Sequence, residues 1–349
     1  MSTTLGHDTV DILAEAPPDR STWKAIIARY QGSDVARSVF QIVSTLVPLA
    51  IAFVAMYWSL GVSYWLTALL TLPTAGLLVR TFIIMHDCTH NSFLPSRKWN
   101  DIVGYVTGVL TLTPFDQWRR DHALHHASSG DLDRRGHGDI NTLTVREYLA
   151  RDRWGQLKYR AFRHPFTLFG LGPLHLIINQ RFRAAGSVAT HDKQARGVWT
   201  TNLGIVVGYL FFGLLFGFKA VAIIYLPSIY LAAAFGIWLF YVQHQFEDAY
   251  WQPHEDWDYV TSAIAGSSYF KMNPVLQWFT GSIGLHHVHH LGPKIPNYRL
   301  QQAHDENPLF HDVTVITVMS TFRLIGLTLW DEDSQRLIRF KDVPALARG

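Results

Sequence analysis

Three short stretches of the chain are dense in histidine: His86–Asp87–Cys88–Thr89–His90, His122–Ala123–Leu124–His125–His126 and His286–His287–Val288–His289–His290. Imidazole is the commonest metal ligand, so such stretches point first to metal chemistry. A spacing of three or four residues puts side chains on one face of a helix. His86 with His90, His122 with His125 and His126, and His286 with His289 and His290 all have that spacing. Together with His244 they make nine candidate metal ligands. One ion cannot take nine nitrogens, whereas two ions with four or five each would use them all. All-nitrogen sites suit zinc, copper, iron and nickel alike. A redox iron pair fits the count, but spacing alone does not separate iron from copper. The single cysteine, Cys88, excludes a disulfide framework and a cysteine-based zinc module.

Other polar residues near the clusters read as supports. Asp87, Asp121, Glu247 and His287 are placed to take the free N–H of a ligand ring, fixing its tautomer and raising its basicity. Asp116 and Asp248 are candidates for the same work, with plain capping or solvation as the competing reading. His7, His137, His164, His175, His191, His254, His304 and His311 are isolated and read as structural or exposed.

The elements that must position these rings are apolar. Hydrophobic residues make up 48% of the 349-residue chain and charged ones only 16%, and the apolar residues are bunched. A net charge of +3 is too small a basic excess to argue for nucleic acid. Four stretches, 39–58, 64–85, 199–218 and 221–242, are long and apolar enough to span a bilayer, which takes about 20 residues. They pair into two hairpins with very short turns, the second marked by Gly217 and Lys219. Two crossings out and back, taken twice, return every histidine cluster to one face. The segment between the second and third stretches is rich in arginine, while the hairpin turns hold only Lys219. The positive-inside tendency therefore puts the histidine face and both termini in the cytoplasm. Arg80, near the end of the second stretch, is expected to snorkel to the interface.

The expected fold is an all-α integral membrane protein: four transmembrane helices in two hairpins, with a cytoplasmic helical cap holding a di-metal site. Residues 1–36 read as a cytoplasmic N-terminal segment, 37–333 as the membrane domain and 334–349 as a C-terminal tail. Within the first, Trp23, Ile26, Ile27 and Tyr30 form a short amphipathic stretch, either on the membrane surface or simply exposed. The apolar runs 102–115 and 166–178 are too short to span and read as interfacial or buried helices. Residues 307–330 read as mixed and helical, ending in an acidic turn at Asp331–Glu332–Asp333.

With these residues in view, the chain resembles the membrane fatty acid desaturase superfamily, whose signature is three histidine boxes beside paired membrane hairpins. The matches are HDCTH, HALHH and HHVHH, and the flanking runs LTLTPFDQWRRDHALHHASSGDLDRRGHGDI from Leu110, WLFYVQHQFEDAYW from Trp238 and QWFTGSIGLHHVHHLGPKIPNYRL from Gln277 are similar to the bacterial acyl-lipid or omega-6-type branch. The resemblance implies a non-haem di-iron centre that uses O2 and two electrons to remove two hydrogens from an unactivated acyl chain. It carries His86, His90, His122, His125, His126, His286, His289 and His290 over as iron ligands, and His244 as a further one. It also implies an acyl lipid or acyl-CoA substrate, surrounding membrane lipids and a separate electron carrier, a ferredoxin or small haem cytochrome. A bacterial inner membrane is the expected location. Arg119, Arg120, Arg134 and Arg135 are candidates to dock an acidic donor or a phosphate headgroup, against a reading as ordinary surface charge. Trp238, Tyr241, Trp278 and Phe279 are candidate walls of the acyl channel.

Two other readings stand beside this one. A hydroxylase, ketolase or alkane oxygenase of the same superfamily shares the histidine boxes and differs only in its product. A non-enzymatic membrane metal-binding protein is disfavoured because carriers place ionisable residues along a crossing path, whereas these spans are nearly free of charge.

Overall fold

The computed structural model describes residues 20–136, 140–182 and 192–343. His7, His137 and His191 lie outside them.

A short helix α1 (Arg20–Ala28) precedes two long ones, α2 (Val35–Ser59) and α3 (Tyr64–Thr89). Asp34 caps α2 by accepting from the Arg37 amide, and Ser59 and Thr67 hydroxyls meet at 2.7 Å across the turn into α3. Next come α4 (Arg97–Leu110), α5 (Phe115–Ser128), a two-residue strand β1 (Leu143–Thr144), α6 (Val145–Leu149) and α7 (Arg153–Arg163). A wide π-helical turn, Phe166–Leu171, runs into α8 (Gly172–Phe182). The second long hairpin is α9 (Asp192–Phe216) and α10 (Phe218–His244). Gly217, at φ 87°, supplies the left-handed residue that lets the chain reverse in a single step.

α2, α3, the 193–216 part of α9 and α10 are each long and apolar enough to cross a membrane. α3 is the axis of the bundle: 61% of its most apolar stretch is buried, against 22%, 17% and 22% for α2, α9 and α10. The other three therefore turn most of their apolar surface outward, as helices bathed in hydrocarbon do.

The third expected span, 199–218, ends earlier than the sequence suggested, because Gly217 breaks the helix and Lys219 already belongs to α10. Arg80 does not snorkel. Its side chain is buried, with Nε donating to Thr45 Oγ1 at 3.1 Å, NH1 donating to the Trp278 carbonyl and the guanidinium stacked 4.3 Å from the Trp278 ring centroid.

Past α10 the chain builds the cap from short pieces: α11 (Tyr259–Ala265), β2 (Tyr269–Lys271), α12 (Pro274–Phe279), α13 (His286–Leu291) and α14 (Asn297–Glu306). β3 (Val315–Thr317), α15 (Thr321–Leu324), β4 (Leu329–Asp331) and β5 (Arg336–Ile338) follow. The all-helical expectation holds for the bulk of the chain, and two small sheets are added to it. β1 pairs parallel with β4 and β4 antiparallel with β5, while β2 pairs parallel with β3. Residues 307–330 are thus mostly not helical, since their short β segments find partners far back in the chain. The boundary drawn at 333 falls inside the β4–β5 hairpin.

α1 is neither exposed nor laid on a membrane by its apolar face. Trp23, Ile27 and Tyr30 are buried in a cluster with Val260, Leu285, Val288, Leu300 and Phe310. Tyr30 Oη donates to Glu306 at 2.6 Å, strapping the N-terminal helix to the end of α14.

Candidate metal centre

The histidines stand on four elements that meet at one end of the bundle. α3 keeps its helical course through His86 and closes at His90, where the left-handed Asn91 (φ 55°) ends it. α10 ends on His244 itself. α5 and the six-residue α13 carry the other two boxes. Because α3 and α10 each close a hairpin, both hairpins return to the same end, as expected.

The nine rings form two adjacent groups. In one, His86, His90, His122, His126 and His289 each bring a nitrogen within 4.8 Å of every other; in the second, His125, His244, His286 and His290 do the same. The His126 and His290 ring centroids, one from each group, are 4.3 Å apart. α5 and α13 therefore each straddle the boundary, giving rings to both groups.

The hydrogen bonds behind the rings fix which nitrogen faces inward. His244 Nδ1 lies 3.0 Å from the Gly266 carbonyl, which can only accept, so Nδ1 carries the proton and Nε2 presents a lone pair to the group. His86 Nδ1 donates in the same way to Asp87 Oδ1 at 3.1 Å. The other Asp87 oxygen accepts from both the amide and the side-chain nitrogen of Asn297, at 2.7 and 2.8 Å. The inward nitrogens then crowd one another: His86 Nε2 is 2.8 Å from His122 Nε2, which is 3.1 Å from His126 Nε2, and His244 Nε2 is 2.9 Å from His286 Nε2. His90 Nε2 and His289 Nε2 are buried with no hydrogen-bond partner among the described residues. Converging lone pairs and orphaned buried nitrogens are costly unless a cation sits among them, so the donor set fits metal ions. Burial, reinforced by the neighbouring imidazoles, pushes His122, His126, His286, His289 and His290 well below the usual histidine range. Neutral rings at physiological pH are the form that binds metal.

Aromatic side chains hold the rings from outside. Trp118 stacks on His122 with ring centroids 5.5 Å apart, and Phe240 lies 5.0 Å from both His125 and His244. Tyr259 Oη donates to the His290 carbonyl at 2.8 Å.

The structure sorts the proposed supports. Asp87 stands behind a candidate ligand, as expected from its place in the box. Half-buried Asp121 accepts from Gln117 Nε2 at 2.9 Å, one turn back on its own helix. Glu247 is exposed, and its backbone carbonyl accepts from the Leu337 amide. His287 turns off the ligand face of α13, and its Nε2 meets His304 Nδ1 at 3.2 Å. Burial, then His304, pushes it down to about 3. Asp116 pairs with Lys193 at 3.2 Å and Asp248 with Arg336 at 3.1 Å, both away from the rings. Asn297, Gly266 and Trp118 were not singled out in the sequence, and no spacing rule points to them.

The arginines are mostly occupied. Arg119 pairs with Asp101, Arg134 with Asp131, and Arg135 grips Glu147 through two nitrogens. Arg119 thereby ties α5 to α4, and Arg134 and Arg135 hold the chain that follows α5, which weakens their case as a docking patch.

Below the rings, α3, α10, α12 and β2 enclose a cavity of about 310 Å³. Trp238 and Phe279 line it, as anticipated. Tyr241 is instead buried behind α10, with Oη donating to the Leu327 carbonyl, and Trp278 faces Arg80. The lining is apolar apart from the Thr280 hydroxyl, which donates to Leu276 O at 2.9 Å. Its inner residues Val79 and Leu239 precede His86 and His244 on the same helices by about 10 and 8 Å at the helical rise.

Residues 62–316 match the family model described as fatty acid desaturase. The chain belongs to the fatty acid desaturase family. It is 42% identical over 318 residues to a fatty acid desaturase of Bacillus subtilis, covering 91% of this chain and 90% of the relative. It is 27% identical to an endoplasmic-reticulum omega-3 fatty acid desaturase of Vigna radiata, over 84% of this chain and 75% of that one. A further relative at 26% identity, covering 64% of this chain and 62% of its own length, is an sn-1 acyl-lipid omega-3 desaturase (ferredoxin) of Synechocystis. As a member, this desaturase is an integral membrane oxidoreductase that acts on acyl substrates, and its histidine clusters are the metal-competent site.

Proposed function

We propose that this desaturase removes two hydrogens from adjacent methylenes of a lipid- or CoA-linked acyl chain, using O2, an external one-electron carrier and a non-haem di-iron centre. The observation that carries the reading is the pair of histidine groups at the end of α3 and α10, the same two helices whose preceding turns line an apolar cavity. In this reading His86, His90, His122, His126 and His289 hold one iron, and His125, His244, His286 and His290 hold the other. The irons supply the O2 chemistry that breaks unactivated C–H bonds.

The chain's own residues do the rest. Asp87 and the Gly266 carbonyl hold the protons of His86 and His244 on the outward nitrogens, so that the inward ones remain donors. Asn297 holds Asp87 in place. The apolar lining excludes water and confines one stretch of acyl chain beneath the rings. The overall balance is two hydrogens from the chain, two electrons and two protons from outside, and one O2 leaving as two waters.

A relative that is named for ferredoxin supports a ferredoxin-type donor. Orientation rests on charge: the arginine-rich connection beside the histidines favours the cytoplasmic side of a bacterial inner membrane.

Expression in a host whose lipids are saturated and monounsaturated, followed by mass spectrometric location of new double bonds, tests the reading. Purified protein is expected to carry two irons per chain. A hydroxylated product would move the assignment to an oxygenase of the same superfamily, and a metal-free active protein would overturn the di-iron proposal.

A further inference from the structure

Eight of the nine candidate ligands share a helix with at least one other, so a common helix face sets their spacing. His244 has no such companion. It is the last residue of α10, and Gln245 after it leaves the helix at φ −117° and ψ 74°. Helix ends open easily, because their last carbonyls lack partners within the helix. No left-handed residue closes α10 there. Where the His244 ring stands therefore depends on what holds Gln245.

Gln245 is buried, and its amide is gripped from two sides. Its Oε1 accepts from Arg163 NH2 at 2.8 Å, which fixes the orientation of the amide because a guanidinium only donates. Nε2 then donates to Thr142 Oγ1 at 3.2 Å, and Arg163 NH1 donates to the same oxygen at 3.1 Å. The Thr142 hydroxyl passes its own hydrogen to the Ile140 carbonyl at 3.0 Å. Arg163 also donates to the carbonyls of Asn141 at 3.2 Å and Leu327 at 2.8 Å. One guanidinium thus ties α7 to the segment entering β1, the end of α10 and the turn before β4.

Arg163 is only 1% exposed, and its partners among the described residues are neutral oxygens rather than a carboxylate. A buried cation without a counter-charge costs a fold more than an apolar side chain in its place. Stability alone does not account for such a residue, whereas its planar fork reaches Thr142, Gln245 and Leu327 together. We infer that Arg163 is a positioning residue for the four-ring group. Through Gln245 it stops α10 at His244 and sets that ring against His286, whose Nε2 is 2.9 Å from His244 Nε2. The inference rests on the reading of His244 as a metal ligand. The Gly266 carbonyl fixes the tautomer of this ring, and Arg163 fixes its place. The five-ring group takes no ring from α10 and should not feel the clamp.

The test titrates Co2+ into the metal-free full chain and follows the visible absorption of the bound ion. His289→Ala leaves only the four-ring group whole and His125→Ala only the five-ring group, so each site is read alone. Arg163→Lys keeps the charge and loses the fork. In the His289→Ala background it should raise the Co2+ dissociation constant about tenfold or more, as removal of a support behind a ligand does, and in the His125→Ala background by no more than about twofold. Gln245→Leu breaks the same link from the other side and should give the same selective loss, and it decides the matter if Arg163→Lys does not fold. Equal losses in the two backgrounds would make Arg163 a general structural tie, and unchanged affinity in both would remove it from the site; either overturns the inference while His244 remains a ligand. Failure of the His289→Ala chain to bind Co2+ with Arg163 intact would instead reject His244 and its group as ligands, and the inference with them.

Discussion

The two histidine groups share α5 and α13 but are anchored by different chemistry. The five-ring group takes two imidazoles from α3 and is braced by a carboxylate, Asp87, itself gripped by Asn297 of α14. The four-ring group takes one imidazole from α10 and is braced by the Gly266 carbonyl. A carboxylate adds negative charge and raises ligand basicity, whereas a carbonyl fixes the tautomer with a partial charge only. The two sites should therefore differ in metal affinity, and only in the first can a side-chain substitution remove the brace itself.

Replacing one ligand from each group gives the largest effect. His289→Ala and His125→Ala should each bring desaturation to background, while all four spans still insert, checked by product analysis and by recovery in the membrane fraction. Iron per chain should fall towards one in either variant. Loss of both irons from one variant alone would show that the groups depend on each other unequally.

Asp87→Asn comes next, with an expected loss of about 10- to 100-fold in metal affinity or activity. An iron titration should show one class of site weakened and the other unmoved, and equal weakening of both would contradict separate bracing. Asn297→Ala should act in the same direction more mildly, because Asp87 remains.

Acid should affect both groups. His122, His126, His286, His289 and His290 are held well below the ordinary value of 6.5 by burial and by one another, and His287 is pushed down to about 3. Below 6.5 the unfolded chain binds protons that the folded chain refuses, so stability is full above that pH and drains away as pH falls towards 3. Thermal unfolding of iron-free protein between pH 7.5 and 5 should show the midpoint dropping, and a flat profile would mean the rings are less enclosed than described. The smallest effect is expected away from the rings altogether. Gly76→Ala pushes on Phe279 in the cavity wall, so it should shift the ratio of double-bond positions with iron unchanged.

Much of this arrangement was legible in the sequence because the signals are local. Runs of apolar residues declare spans, and imidazoles three and four apart declare shared helix faces. The partition was less legible: His122 and His126 serve one group while His125, between them, serves the other, since a helix placed across a boundary sends neighbouring rings to either side. Asn297 was hidden by distance, being far along the chain from Asp87, and Gly266 by kind, because a main-chain carbonyl has no residue identity to read. Arg80 looked like an interfacial residue because its partners Thr45 and Trp278 come from other helices. β3 and β4 were missed because each pairs with a segment remote in sequence, β2 and β1 respectively.

The strap made by α1 has a consequence for biogenesis. Trp23 and Ile27 leave the ribosome more than 250 residues before Val288 and Phe310, with which they share a buried cluster. α1 is thus made before both hairpins yet can close over the back of the HHVHH segment only after they are in place.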